Sequence, residues 1–234
     1  MTVYYHGSNA ASFPGVFDKH NAGLRSLEVL FRERNPPFSG ELCVGRKGIS
    51  VVEKDCIAGA MRYVSGTFGG TYGWNPQQSQ EQMEKKRKRV VCATKDMRSS
   101  MKEREWIERD YDLFVHIEQL REKRWQQLSE EDRELVQNPF PVLYAIQYKE
   151  RVEYHKTDVP GDMVIEEERI PLQQITLFVP RDATERTKRR WEKVDENPRV
   201  LAFDWLTSIV NSIKYPRNKE DAERHLERLL GYKT

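Results

Sequence analysis

From about Gln77 to Gln137 the chain has no glycine and is dense in Lys, Arg, Asp and Glu, with Trp106, Leu113, Ile117 and Leu120 at helical spacing. This stretch predicts a helical insertion. β-Forming segments lie on both sides of it, so strands from the two ends of the chain must meet in one sheet around a helical middle. The expected class is α+β.

The first strand runs from Thr2 to His6 and is followed by a polar loop rich in Gly, Ser, Asn and Pro. Leu27, Leu30 and Phe31 mark a short amphipathic helix that Asn35-Pro36-Pro37 stops. A second strand is expected at Gly48-Ile49-Ser50-Val51-Val52, where β-branched residues follow a glycine. Asp55 is placed to cap a helix in which Ile57, Ala58, Met61 and Val64 share one face. The stretch GTFGGTYGWNPQQ comes next; its four glycines and three aromatic residues suit a mobile lid. Beyond the Asn138-Pro139-Phe140-Pro141 break, Val142 to Tyr148 is apolar at nearly every position, as a central strand is. Further strands are expected at Met163 to Ile165 and Thr176 to Pro180, and helices at Val200 to Ile213 and Lys219 to Leu230. The chain thus divides into the N-terminal half of a core (1–76), the charged insertion (77–138), C-terminal core strands (139–182) and C-terminal helices (183–234).

Composition excludes several function classes. Three cysteines, Cys43, Cys56 and Cys92, are odd in number and lack CxxC spacing, which argues against a disulfide framework or a zinc site. The five histidines show no ligand spacing, so no metal is expected. No run approaches the length of apolar sequence needed to span a bilayer, and the N-terminus lacks a basic, apolar leader. A cytoplasmic protein without a membrane partner is the expectation.

Tyr4-Tyr5-His6-Gly7-Ser8 is by itself a turn signal at a strand end. Two other segments change its meaning. Gly45-Arg46-Lys47-Gly48-Ile49-Ser50 leads into the helix ending Ala60-Met61-Arg62-Tyr63, and Asp162-Met163-Val164-Ile165 precedes Glu166-Glu167-Glu168-Arg169-Ile170-Pro171. These three pieces, in this order, resemble the NAD-dependent ADP-ribosyltransferases, in the branch of diphtheria-type toxins and poly-ADP-ribose polymerases. There the first strand ends in His-Gly-Ser or His-Gly-Thr, a Gly-Ile-Tyr-like strand leads into a helix, and a late strand carries an acid before a hydrophobic triplet.

The resemblance covers about half the chain and implies a split β-sheet core bearing the helical insertion and C-terminal helices. It implies NAD as substrate, with nicotinamide released. His6 would hydrogen-bond the adenosine ribose, the Gly7 backbone would clamp the nicotinamide carboxamide through its N–H and C=O, and Ser8 would support that amide. Glycine permits such close approach, and a carboxamide offers one donor face and one acceptor face. Ser50 stands where polymerase-like members carry a stacking Tyr, and resembles the Ser of the arginine-initiated toxin branch. Tyr63, Tyr72 or Trp74 would have to supply the missing ring.

The acid slot, counted back from Ile170-Pro171, falls on or next to Asp162, while Glu166 and Glu168 form a Glu-x-Glu pair like that of the other toxin branch. Residues two apart on a strand face the same side, so both glutamates would look into one cleft. A solvated strand edge is the alternative for this acidic run. Breaking the ribose C1′ to nicotinamide bond builds an oxocarbenium-like centre, which a fixed carboxylate stabilises. The implied acceptor is a protein, RNA or DNA, and a toxin, effector or defence role would bring an antitoxin or inhibitor protein as a further partner.

Glu84-Lys85-Lys86-Arg87-Lys88-Arg89, and Arg186 with Lys188-Arg189-Arg190-Trp191, concentrate positive charge that can track phosphates, with Trp191 offered for stacking. Charged helix faces in water are the alternative. Two other functions fit the residues: a binding or regulatory module on the same scaffold without catalysis, and a nucleic-acid-binding protein that works through its insertion.

Overall fold

The computed structural model describes residues 2–17, 22–38, 48–53, 60, 73–95, 100–150, 152–156, 162–192, 194 and 199–203. The helix expected after Asp55, apart from Ala60, the glycine-rich part of the lid (66–72) and the C-terminal helical segments beyond Phe203 lie outside the described residues. The strands are β1 (Thr2–Asn9), β2 (Leu24–Arg25), β3 (Ile49–Glu53), β4 (Pro141–Tyr148), β5 (Tyr154–Lys156), β6 (Asp162–Ile165), β7 (Arg169–Ile170), β8 (Ile175–Pro180) and β9 (Arg199–Phe203). The helices are α1 (Phe13–Val16), α2 (Leu27–Arg32), α3 (Pro76–Lys95), α4 (Met101–Gln127), α5 (Glu130–Gln137) and α6 (Thr184–Trp191).

Seven strands form one mixed sheet in the order β5-β6-β3-β1-β4-β8-β9, and β2 pairs with β7 in a two-stranded sheet. The class is α+β. β1 lies near the middle of the sheet because Tyr4 and Tyr5 need cover on both faces; they are 0% and 7% exposed. It pairs with β4 along its whole length, from Thr2↔Tyr148 to Asn9↔Pro141. Alternate residues put Tyr4, Ile49, Val51, Tyr144, Ile146, Ile165, Ile175 and Leu177 into one buried cluster. β4 and β8 are buried on both faces, which explains their unbroken apolar runs.

β1 extends three residues beyond the expected end at His6, because β4 offers a full-length partner and Asn9 then turns the chain. The Asn9 side chain accepts from the Ala11 N–H at 3.0 Å. The segment read as a helix from Val200 begins instead as β9, parallel to β8 with Leu177↔Val200 and Phe178↔Leu201. A short apolar run fits a buried strand as well as a helix, and the open edge of β8 decides the matter.

The insertion is a pair of long helices, α3 and α4, followed by the short α5. Helix starts follow capping chemistry: Asn75 accepts from the Gln78 N–H at 2.9 Å, Ser100 from Glu103 at 3.2 Å and Ser129 from Asp132 at 3.1 Å. The hairpin is rooted by a buried carboxylate. Glu118, 1% exposed, accepts from Trp74 Nε1 at 2.7 Å, from Ser79 Oγ and from Arg121 Nη1 at 2.7 Å. Arg121 Nε donates to the Pro37 carbonyl at 2.8 Å and Arg124 Nη1 to that of Pro36 at 2.9 Å. Trp74, Phe38 and Val136 form a second core at this root, with Trp125 packed against it.

Candidate functional site

One described stretch from each of the three segments that carry the resemblance, His6-Gly7-Ser8, Ile49-Ser50 and Asp162 to Ile165, lies on the neighbouring strands β1, β3 and β6. β6 pairs with β3 through Ser50↔Val164 and Val52↔Asp162, and β3 pairs with β1 through Tyr4↔Glu53 and Tyr5↔Val52. Among the described residues the β1–β3 ladder carries only those two register pairs, while β1 continues on β4 to Asn9. The strands therefore part where His6-Gly7-Ser8 begins.

His6 bridges the parting. Its Nδ1 lies 2.7 Å from the Ser50 carbonyl oxygen, and a carbonyl only accepts, so Nδ1 carries the proton. The ring is partly buried and tilts against Tyr144, with centroids 5.7 Å apart. Tyr144 is itself held by the Ser12 hydroxyl at 2.9 Å, and burial raises its phenol well above the ordinary value. Gly7 and Ser8 stand opposite Leu143 and Val142. Tyr144 was not singled out from sequence; its signal was only its place in the middle of the central strand.

On the β3–β6 side a glycine permits close approach. Gly48 has φ +88°, and a Cβ there would sit 2.2 Å from the Ile165 carbonyl oxygen. Asp162 opens β6 opposite Val52, two rungs from the Ser50↔Val164 pair. Glu166 and Glu168 do not share a strand face, since β6 ends at Ile165. Glu166 meets His155 Nε2 at 2.8 Å, and both Glu168 oxygens take Arg32 nitrogens at 3.0 Å. Hydrogen bonding from Arg32, then its charge, holds the Glu168 carboxyl below its ordinary value. An open concavity of about 490 Å³ at this sheet edge is lined by Tyr154, His155, Ile165, Glu166 and Glu167 among others.

No protein-family model, curated protein or solved structure matches this chain. The site therefore stands on its own geometry.

Of the rings expected over nicotinamide, Trp74 is 6% exposed and packs in the insertion root, with Phe38 5.3 Å away. Tyr63 and Tyr72 lie outside the described residues. Two cations of the α6 run, Arg186 and Arg190, are engaged by acids of α5, while Lys188 and Arg189 stay exposed. Arg190 pairs with Asp132, Arg186 lies 3.8 Å from Glu131 and 3.6 Å from Glu134, and Lys188 lies 2.8 Å from Glu185. Trp191 is 3% exposed with its ring 4.6 Å from Phe17, so it is core rather than a stacking platform. Among the described residues no group of three or more His, Cys, Asp or Glu side chains converges as a metal would require. Nor does any described helix have the length and apolarity to cross a membrane.

Proposed function

We propose that the protein transfers ADP-ribose from NAD to a macromolecular acceptor, protein or nucleic acid, in the cytoplasm, with NAD seated where β1 parts from β3. The supporting observation is the contact of His6 with Ser50 on strands that the sequence separates by 44 positions, with Asp162 on the next strand over. In this reading the His6 side chain meets the adenosine ribose, and the Gly7 backbone and Ser8 hold the nicotinamide amide. Asp162 supplies the carboxylate, because His155 and Arg32 already engage Glu166 and Glu168.

The C1′ to nicotinamide bond breaks with its electron pair leaving on the nicotinamide nitrogen. A nucleophilic atom of the acceptor then bonds to C1′ and gives up its proton. The fixed negative charge stabilises the cationic sugar between the two events.

The test is nicotinamide release from NAD by the purified protein, with mass spectrometry of ADP-ribose adducts in added lysate. His6→Ala and Asp162→Asn should each lower release by at least the roughly hundredfold typical of a lost electrostatic contact. Absence of release by the wild type, or full activity in both variants, overturns the reading.

A further inference from the structure

We propose that the α3–α4 hairpin is a docking arm for single-stranded nucleic acid, with α3 tracking phosphates and Trp106 of α4 stacking a base. The charge is concentrated on one helix. α3 carries six basic residues against two acidic ones, whereas α4 is nearly balanced, with six basic and seven acidic. Ser79, Met83, Lys86 and Val90, at helical spacing, are the less exposed positions that face α4, and Lys86 is engaged by Asp110 at 3.4 Å and by the Phe114 ring.

Lys85, Arg87, Lys88 and Arg89 remain exposed, with Glu84 3.8 Å from Lys88. This differs from α6, whose cations Arg186 and Arg190 are consumed by α5. Lys86 stands beside Asp110, so Trp106, one turn nearer the connection between the helices, stands level with Arg89 and Val90. Trp106 is 73% exposed, which is unusual for an indole in a soluble chain and places its face within reach of a base. A row of cations on one helix, with an exposed indole level with its end on the other, is complementary to a flexible polyanion with stackable bases. Charge complementarity thus favours a nucleic acid over a protein occupant.

The inference rests on the arm and not on NAD chemistry, so the two are separable: oligonucleotide binding without nicotinamide release leaves it standing. The experiment titrates fluorescein-labelled oligo(dT) and oligo(U) with the full chain at stepped NaCl concentrations. Binding should fall steeply with salt. Lys85→Gln/Lys88→Gln/Arg89→Gln should lower the slope of log K against log salt by about 2, at about 0.7 per lost phosphate contact. Trp106→Ala should weaken binding roughly 5- to 160-fold with little change of slope. Lys188→Gln/Arg189→Gln on α6 should change neither, and circular dichroism should confirm that all variants fold. Three results overturn the proposal: no binding by the wild type, an equal loss in the α6 variant, or an unchanged slope in the α3 variant. Light scattering that shows a dimer dissolved by Trp106→Ala, with oligonucleotide binding unaltered, would instead assign the indole to self-association.

Discussion

Replacing Glu118 by Leu removes the acceptor of Trp74, Ser79 and Arg121 while leaving the Arg121 guanidinium, 7% exposed, among them. A buried cation that loses its partner costs about 3–5 kcal/mol, more than any gain from the added apolar atoms. For a chain of this size that is a drop in Tm of about 6–20 °C. Burial already lowers the Arg121 pKa, against the pull of Glu118, so removing Glu118 leaves that desolvation unopposed. The second perturbation separates charge from packing. Glu118→Leu/Arg121→Met removes both charges and should recover part of the loss; about 1 kcal/mol remains for each group left unpaired, the Trp74 and Ser79 donors that Glu118 served and the Pro37 carbonyl that Arg121 Nε serves. Urea denaturation followed by circular dichroism measures both. A single variant that loses under about 1 kcal/mol, or a double variant no more stable than the single, would refute the assignment of Glu118 as the anchor.

Gly48→Ala should cost at least about 1–3 kcal/mol by urea denaturation, because it combines a positive φ with a clash on the Ile165 carbonyl. Gly15→Ala, whose new Cβ would meet the end of the Arg124 side chain at 3.2 Å and that of Arg25 at 3.8 Å, should cost less. Burial raises the Tyr144 and Tyr148 phenols, so the folded state holds their protons longer than the unfolded chain does. Stability from these groups is intact below the ordinary tyrosine value of about 10 and declines as pH rises above it. A spectrophotometric alkaline titration should show both ionising late, and Tyr144→Phe should flatten the alkaline decline. The Glu168 carboxyl, held low by Arg32, contributes stability above its unfolded value that is lost on acidification. Both partners are mostly exposed, so Glu168→Gln should leave Tm at pH 7 nearly unchanged, and a clear drop would show that the pair has a structural role.

Periodicity made much of this architecture legible. The apolar density of Val142 to Tyr148 marked a central strand, and the charged run from Gln77 marked the helices, because burial on two faces and on one stripe leave different patterns. Local signals were misleading wherever a distant partner decided the outcome. His6-Gly7-Ser8 looked like a turn, yet β4 draws it into a strand. Val200 to Phe203 looked helical, yet β8 offered a parallel edge. Trp74 and Trp191 were eligible for stacking by type alone, and only three-dimensional packing shows them committed to cores. The proximity of His6 to Ser50 follows from strand order, which a single sequence does not carry.

The pairing of β1 with β4 also sets a timetable for synthesis. Thr2 meets Tyr148, so the strand made first waits for 146 further residues before its longer ladder can form. At roughly 5–20 residues per second that is about 7–30 s on the ribosome. During that interval Val3, Tyr4 and Tyr5 have only the five residues of β3 to pair with, and a two-stranded ribbon is marginal in water. Until translation passes Tyr148 these apolar residues lack their main partner strand, and slowing the ribosome within the insertion should lower the soluble yield.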